Sequence, residues 1–511
     1  MTSGDKDKLA VIDDLVSQLT ECALLFQHLD EAGAKPCALL LQRALKHRRV
    51  GEWEDCRKVA LSAREYAWEQ LHSGPSWQAV AQVHREAYGV AGTLVAIAIF
   101  LSGAPGSLDQ AVYSLDLVAL MAGGRFQDTA NLFVERMEHH TGLESNAASM
   151  AATKQRFDPI PASTTPMKKT VSAHAKAASL LLQGELHSME PLSKKAKNDV
   201  SVGTGQAPDR GGGVRRVRLP PLDVFQREYM ETATPVILTG VMDGWPAMGQ
   251  GQGSRSWSDT SYLRRVAGRR TVPVEVGGSY TADSWRQELM TVADFISRYI
   301  ESNAKEPPSA SGADGSALIE TRTGAEESVE EQGTAPPLPA PAGVGEAKER
   351  AYLAQHQLFD QIPPLRRDIF TPDYCALLLE DEEDDADAGS VATNAWFGPA
   401  ETVSPLHNDP FHNLLAQVVG SKRVLMVNRK LSASVYPRPG LMTNTSEVDA
   451  ANPDLSKHPR FAEAMPLLEC ELRKGEMLYI PPLFWHHVES LEVSFSVSFW
   501  WGKRRTLPKD H

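Results

Sequence analysis

Cysteine is scarce in this chain: Cys22, Cys37, Cys56, Cys375 and Cys470 are the five among 511 residues, odd in number, scattered, and never in a C-x-x-C pair. That spacing suggests neither a disulfide framework nor a zinc ribbon, and it fits a reducing compartment. Positive charge is also in deficit, with 52 Lys and Arg against 65 Asp and Glu and a formal net charge of -13. No global basic field draws such a chain onto phosphate backbones, so nucleic acid is a poor default partner and a basic protein or peptide a better one. Long apolar runs are missing too. The richest, Gly89 to Ala104, falls short of the roughly 20 residues a membrane span needs and reads as a buried helix. Met1-Thr-Ser-Gly-Asp-Lys-Asp-Lys lacks the layout of a signal peptide, so the expectation is a nuclear or cytoplasmic protein with no membrane contact. What is present, 42% hydrophobic and 23% charged residues, is ordinary for a globular chain, and the length suggests two or three domains.

Three regions differ in pattern. Across residues 1–140 apolar side chains recur at three and four, as in Leu9, Ile12, Leu15, Val16 and Leu19, which predicts amphipathic helices. Gly51-Glu-Trp-Glu-Asp and Gly124-Arg-Phe-Gln-Asp echo one another before two of them, at about twice the length of a helical-hairpin repeat, so the module is solenoid-like or an irregular bundle. Residues 141–213 are rich in Ala, Ser, Thr, Lys and Gly and read as a disordered linker, in which Lys194-Lys-Ala-Lys is a nuclear import signal or a solvated basic cluster. Residues 214–511 are strand-rich: Pro235-Val-Ile-Leu-Thr-Gly, Thr271-Val-Pro-Val-Glu-Val, Val424-Leu-Met-Val, Met477-Leu-Tyr-Ile and the alternating run Val493 to Trp500, with a helix over Thr291 to Tyr299. A disordered insertion over 303–350 and an acidic run over 380–387 interrupt them, both read as mobile surface loops. The fold class expected is α+β, multidomain.

Chemistry concentrates in Ser404-Pro-Leu-His-Asn-Asp-Pro-Phe-His-Asn. On a strand, side chains two apart share a face, so His407 and Asp409 present an imidazole and a carboxylate to one point. Trp485-His486-His487 supplies a third ligand. Two histidines and a carboxylate make the facial triad of non-haem Fe(II) oxygenases, whereas zinc in a structural site and calcium prefer other donor sets. H-x-D alone is a common chance pair; its context gives it weight. Lys422, after the turn Gly420-Ser421, suits the far carboxylate of a dicarboxylate co-substrate, the alternative being a lysine at a hairpin edge.

These motifs together resemble the JmjC domain of Fe(II)- and 2-oxoglutarate-dependent oxygenases from about Val214 to Lys503. Ala354-Gln-His-Gln-Leu-Phe-Asp-Gln, Asn394-Ala-Trp-Phe-Gly-Pro, Ser404-Pro-Leu-His-Asn-Asp-Pro and Ser494-Phe-Ser-Val-Ser-Phe-Trp-Trp resemble the arginyl-hydroxylase subgroup formerly described as a histone lysine demethylase. Leu71-His-Ser-Gly-Pro in the helical part is similar to that subgroup too. The resemblance implies a double-stranded β-helix of the jelly-roll, cupin-like kind. It implies Fe(II) on His407, Asp409 and His486, with 2-oxoglutarate held by Tyr352, Asn413, Lys422 and Ser404, and O2 as the second co-substrate. Glu275, Trp285, Gln355, Trp396 and Trp500 match positions around a substrate arginine, although tryptophans in β domains are often core. His487 is expected to point away from the metal as a supporting or surface group, while His412 departs from the family and stands as an alternative ligand. The reaction implied is hydroxylation of an arginine C–H in a basic protein or peptide. The alternatives are N-methyl-lysine demethylation of histones by a chromatin regulator, and a non-catalytic binding module. The helical part is a further candidate for binding another protein.

Overall fold

The computed structural model describes residues 23–73, 80–141, 213–249, 255–278, 280–281, 285–302 and 349–507. The periodic stretch Leu9 to Leu19, most of the linker, Lys194 and residues 303–348 of the insertion lie outside them. Six helices fill the N-terminal part of the described chain: α1 (Ala23–Glu31), α2 (Lys35–Arg49), α3 (Trp53–Ser73), α4 (Gln82–Ser102), α5 (Ser107–Ala122) and α6 (Arg125–His140). The two echoing segments open α3 and α6. Helix α4 is long and apolar enough to cross a membrane, but 72% of its most apolar window is buried inside the protein. Its Leu94, Ile97 and Phe100 join Leu41, Ala63, Leu115 and Phe133 from the other helices in one core.

Two sheets follow. The larger runs β1 (Arg216–Arg218), β2 (Val236–Thr239), β11 (Glu476–Ile480), β8 (His412–Val419), β13 (Ser494–Trp501), β6 (Ala392–Gly398), β5 (Ala351–His356), β3 (Thr271–Val276) and β4 (Arg286–Thr291), in that spatial order. The smaller runs β10 (Leu468–Leu472), β9 (Lys422–Val427), β12 (Trp485–Ser490) and β7 (Val403–His407). The expected helix after β4 is a turn of α-helix, Val292–Phe295, continued as a π-helical turn, Ile296–Ile300.

Period-two alternation sorts the side chains. On β9, Val424 and Met426 face inward to meet Leu415 of β8 and Leu478 and Ile480 of β11. Leu425 and Val427 face the other way, under a cover that includes Val435, Val448 and Phe461. On β8, Leu414 and Ala416 point to the outer side of the large sheet, where Phe225, Phe295, Phe359 and Trp257 pack. Two sheets closed over a shared apolar interior form a double-stranded β-helix.

One expectation fails in the loop before β6. The acidic run is not simply a solvated, mobile face: Glu382 is fully buried, with Oε1 3.2 Å from His412 Nε2 and 3.0 Å from Arg505 Nη2. Asp381 receives the same guanidinium. A buried carboxylate persists only with such partners, and these lie far off in sequence.

Candidate active site

Strands β7 and β12 run antiparallel with His407 opposite His486. Trp485 faces the outer cover, so by alternation His486 faces inward and His487 outward. His487 is buried rather than at the surface, with its Nε2 unpartnered. The register shifts between His486 and Val488, where the next pair is Val488 with Ser404. Such a bulge sets two residues of β7, Pro405 and Leu406, against one of β12, and returns Ser404 to the inner face beside His407. Asp409 lies beyond the end of β7, not on it, so strand alternation does not place it. Backbone bonds do: Asn408 N–H to Asn444 O (2.9 Å) and Leu483 N–H to Asp409 O (2.7 Å).

The three side chains converge, their ligand atoms all within 4.8 Å of one another. Asp409 Oδ2 is 4.0 Å from His407 Nε2 and 3.5 Å from His486 Nε2. Each imidazole is anchored through Nδ1 to a backbone carbonyl, His407 to Pro405 O (2.7 Å) and His486 to Phe484 O (2.9 Å). A carbonyl only accepts, so Nδ1 carries the proton and the Nε2 lone pairs aim inward, as metal ligation requires. Burial, with the neighbouring His486 adding to it, pushes His407 down to about 4, which keeps it neutral. Burial works to raise Asp409, but His486 and His407 together hold it below its ordinary value. Neutral imidazoles and an ionised carboxylate are the donor set of a divalent iron site, so the residues fit the metal. His412 does not compete: its ring is committed to Tyr479 Oη (2.7 Å) and Glu382.

Beside the triad, one recess is lined by Tyr352, Ser404, Asn413 and Lys422 together with Trp396 and Ser498. Lys422 is no hairpin-edge lysine, being 1% exposed. Its Nζ donates to Tyr352 Oη at 2.9 Å, and burial pushes it down to about 7. Asn413 Oδ1 is buried without a partner.

The other predicted residues are spread over β3, β5, β6 and β13, with Trp285 just before β4. Glu275 on β3 is the cross-strand neighbour of Tyr352 on β5, and burial pushes its carboxyl up to about 7, with the nearby Trp285 indole pulling it the other way. Trp396 closes on Tyr352 with ring centroids 6.1 Å apart and donates to Ser498 Oγ (2.9 Å). Trp500 pairs across to Asn413, and its indole N–H is buried and unpartnered. Gln355 sits at a bulge of β5 with φ +46°, a backbone that L-residues seldom adopt. Sequence reasoning missed Tyr280. Its hydroxyl lies 3.4 Å from Thr445 Oγ1, and its phenol, raised chiefly by burial, also feels the charges of Asp409 and Glu275. An aromatic in the turn after a Glu-bearing strand was the available signal.

A double-stranded β-helix with a His-Asp-His centre inside its mouth defines the class of 2-oxoglutarate-dependent oxygenases. Residues 221–506 match the cupin-like domain family and residues 26–151 the KDM8-like N-terminal ARM repeats. The chain is 37% identical over 454 residues to lysine-specific demethylase 8 of Danio rerio, covering 88% of this chain and 89% of that one. It is 34% identical to lysine-specific demethylase JMJ30 of Arabidopsis thaliana over 87% of this chain and 86% of that one. Jumonji C domain-containing protein 5 of Drosophila melanogaster is 38% identical over 55% of this chain and 58% of its own length. The chain belongs to the JmjC family of oxygenases, with ARM-type helical repeats ahead of a cupin-like catalytic domain.

Proposed function

We propose that the protein oxidises a C–H bond on a cationic side chain of a protein substrate. The observation carrying this reading is the inward convergence of His407, Asp409 and His486 beside the buried pair Lys422 and Tyr352. In it, the three ligands hold Fe(II), which when bound couples oxidative decarboxylation of 2-oxoglutarate by O2, to succinate and CO2, to hydroxylation of the substrate. Lys422 and Tyr352 take the far carboxylate of 2-oxoglutarate, with Ser404 and Asn413 along its length. The apolar lining, Leu415, Ile480 and Val488, excludes water from the reacting end. Glu275, with Trp285, Gln355, Trp396 and Trp500, receives the cation. The functional division follows the regions named from sequence: a helical module to residue 140, a linker to 213 and the catalytic domain beyond.

The relatives named as lysine-specific demethylases favour N-methyl-lysine as the target, where a hydroxylated methyl group departs as formaldehyde. This would make the protein a histone-directed enzyme acting in the nucleus. A second reading, hydroxylation of the arginine stem, is supported by Glu275, because a carboxylate forks onto a flat guanidinium and holds one stem carbon in place. The test is mass spectrometry of matched peptides carrying Arg, Lys or methylated Lys, incubated with Fe(II), ascorbate and 2-oxoglutarate. Methyl loss with formaldehyde supports the first target. A gain of one oxygen on arginine supports the second, and 2-oxoglutarate turnover without either product counts against a cationic side chain.

A further inference from the structure

Asp116 is a carboxylate in the buried face of α5, among Leu115, Val118 and Ala119, and is fully buried. It reaches out of the helical module into the catalytic domain. Its Oδ1 accepts from Arg270 Nε (2.8 Å) and Gln361 Nε2 (2.9 Å), and its Oδ2 from the backbone N–H of Thr271 (2.6 Å). Gln361 Nε2 also donates to Thr271 O (2.8 Å), and Gln361 Oε1 meets His356 Nε2 at 2.7 Å. Asn131 of α6 accepts from Arg270 (3.0 Å) and donates to Asp360 O (2.6 Å).

Thr271 opens β3 and His356 closes β5. Those strands pair only at Glu275 with Tyr352 and at Val276 with Ala351. Continued in register, the ladder would bring Thr271 opposite His356, but β5 bulges at Gln355 and the strands part. Both polar backbone groups of Thr271 are satisfied instead by side chains, Asp116 from the helical module and Gln361. The carboxylate therefore stands where strand pairing fails, and fixes the far ends of the two strands that carry Glu275, Tyr352 and Gln355.

We propose that Asp116 is a positioning residue for substrate: the helical module completes the β3–β5 edge of the catalytic domain and sets the spacing of Glu275 and Gln355. This rests on the reading that those two residues hold the substrate side chain. The metal ligands lie on β7, β12 and the loop between β7 and β8, and Tyr352, although on β5, sits at its paired end and is held by Lys422 of β9. Loosening the other end therefore moves Gln355 relative to Glu275, acting on peptide binding and on coupling, and leaves the co-substrate end in place.

The experiment uses the full-length chain with a peptide on which the wild type acts, comparing Asp116→Asn, Gln361→Met and Glu275→Gln. Asp116→Asn keeps an acceptor for Thr271 but loses the charge. Gln361→Met leaves the Asp116–Arg270 pair intact while cutting the link to Thr271 O and His356, so it decides the matter should Asp116→Asn fail to fold. The expected result for both is a peptide KM raised about five- to twentyfold, more succinate formed per product, and a 2-oxoglutarate KM within about twofold of wild type. Lower thermal stability with both KM values and the coupling ratio unchanged would overturn the proposal, as would equal shifts in both KM values. Glu275→Gln separates the two levels. If it leaves the peptide KM untouched, the underlying substrate reading fails; if it raises that KM while neither of the others does, only the positioning role fails.

Discussion

Lys422 carries an ammonium into the interior with a phenol for company, and its proton is correspondingly loose. Below about pH 7 the free enzyme holds the charge that a dicarboxylate seeks; above it the amine is neutral, and binding must take up a proton. The 2-oxoglutarate KM is therefore expected to rise as pH goes from 7 to 8, by up to about tenfold, and Lys422→Arg should flatten the profile. A KM independent of pH between 6 and 8.5 would refute this. Lys422→Met should raise that KM roughly ten- to a hundred-and-fifty-fold through loss of a charge-assisted bond. It should also raise the melting temperature. A depressed lysine binds fewer protons folded than unfolded, so its burial costs stability at neutral pH, and methionine removes that cost. Asp409→Ala should abolish turnover and metal retention together, because two imidazoles alone do not balance the metal's charge. Activity retained with unchanged metal content would contradict the triad.

Among elements, the choice of His486 over His487 came from the resemblance, in which the ligand directly follows the tryptophan, and strand alternation agrees with it, since Trp485 faces the outer cover. The same rule misplaces Asp409, which lies past the end of β7. The bulge that brings Ser404 to the inner face is marked only by Pro405, which suits an edge strand equally well, and the one at Gln355 leaves no trace, since no glycine announces the positive φ. Glu382 escaped for a related reason: its partners His412 and Arg505 are brought to it only by the fold, so an acidic run read locally looks solvated. Where a turn does use glycine, the reason is visible. Gly420 joins β8 to β9 with φ +71°, and a Cβ there would lie 2.2 Å from the carbonyl oxygen of Val493. Gly420→Ala should cost more than about 2 kcal/mol, combining left-handed strain with a backbone clash. It should weaken 2-oxoglutarate binding as well, since Lys422 starts the next strand; thermal melts and co-substrate titration check both.

For the molecule as a whole, the helical core and the catalytic cores are joined by polar groups taken out of water, the Arg270–Asp116 pair with 6% and 0% side-chain exposure foremost. Removing one partner strands the other, so Arg270→Met alone is expected to cost about 3–5 kcal/mol, and Asp116→Leu alone a similar amount. The double replacement should cost clearly less than their sum, as denaturation of the four proteins in a double-mutant cycle would reveal. The strand order has a consequence of another kind. β2 pairs with β11, and His407 faces His486 across strands separated by the whole β8–β11 segment. At about 5–20 residues per second, a ribosome makes the first histidine seconds before the second exists. A nascent chain thus holds an incomplete ligand set until β12 has been made, and any loading with metal waits for His486 and for the late strands that close around the site.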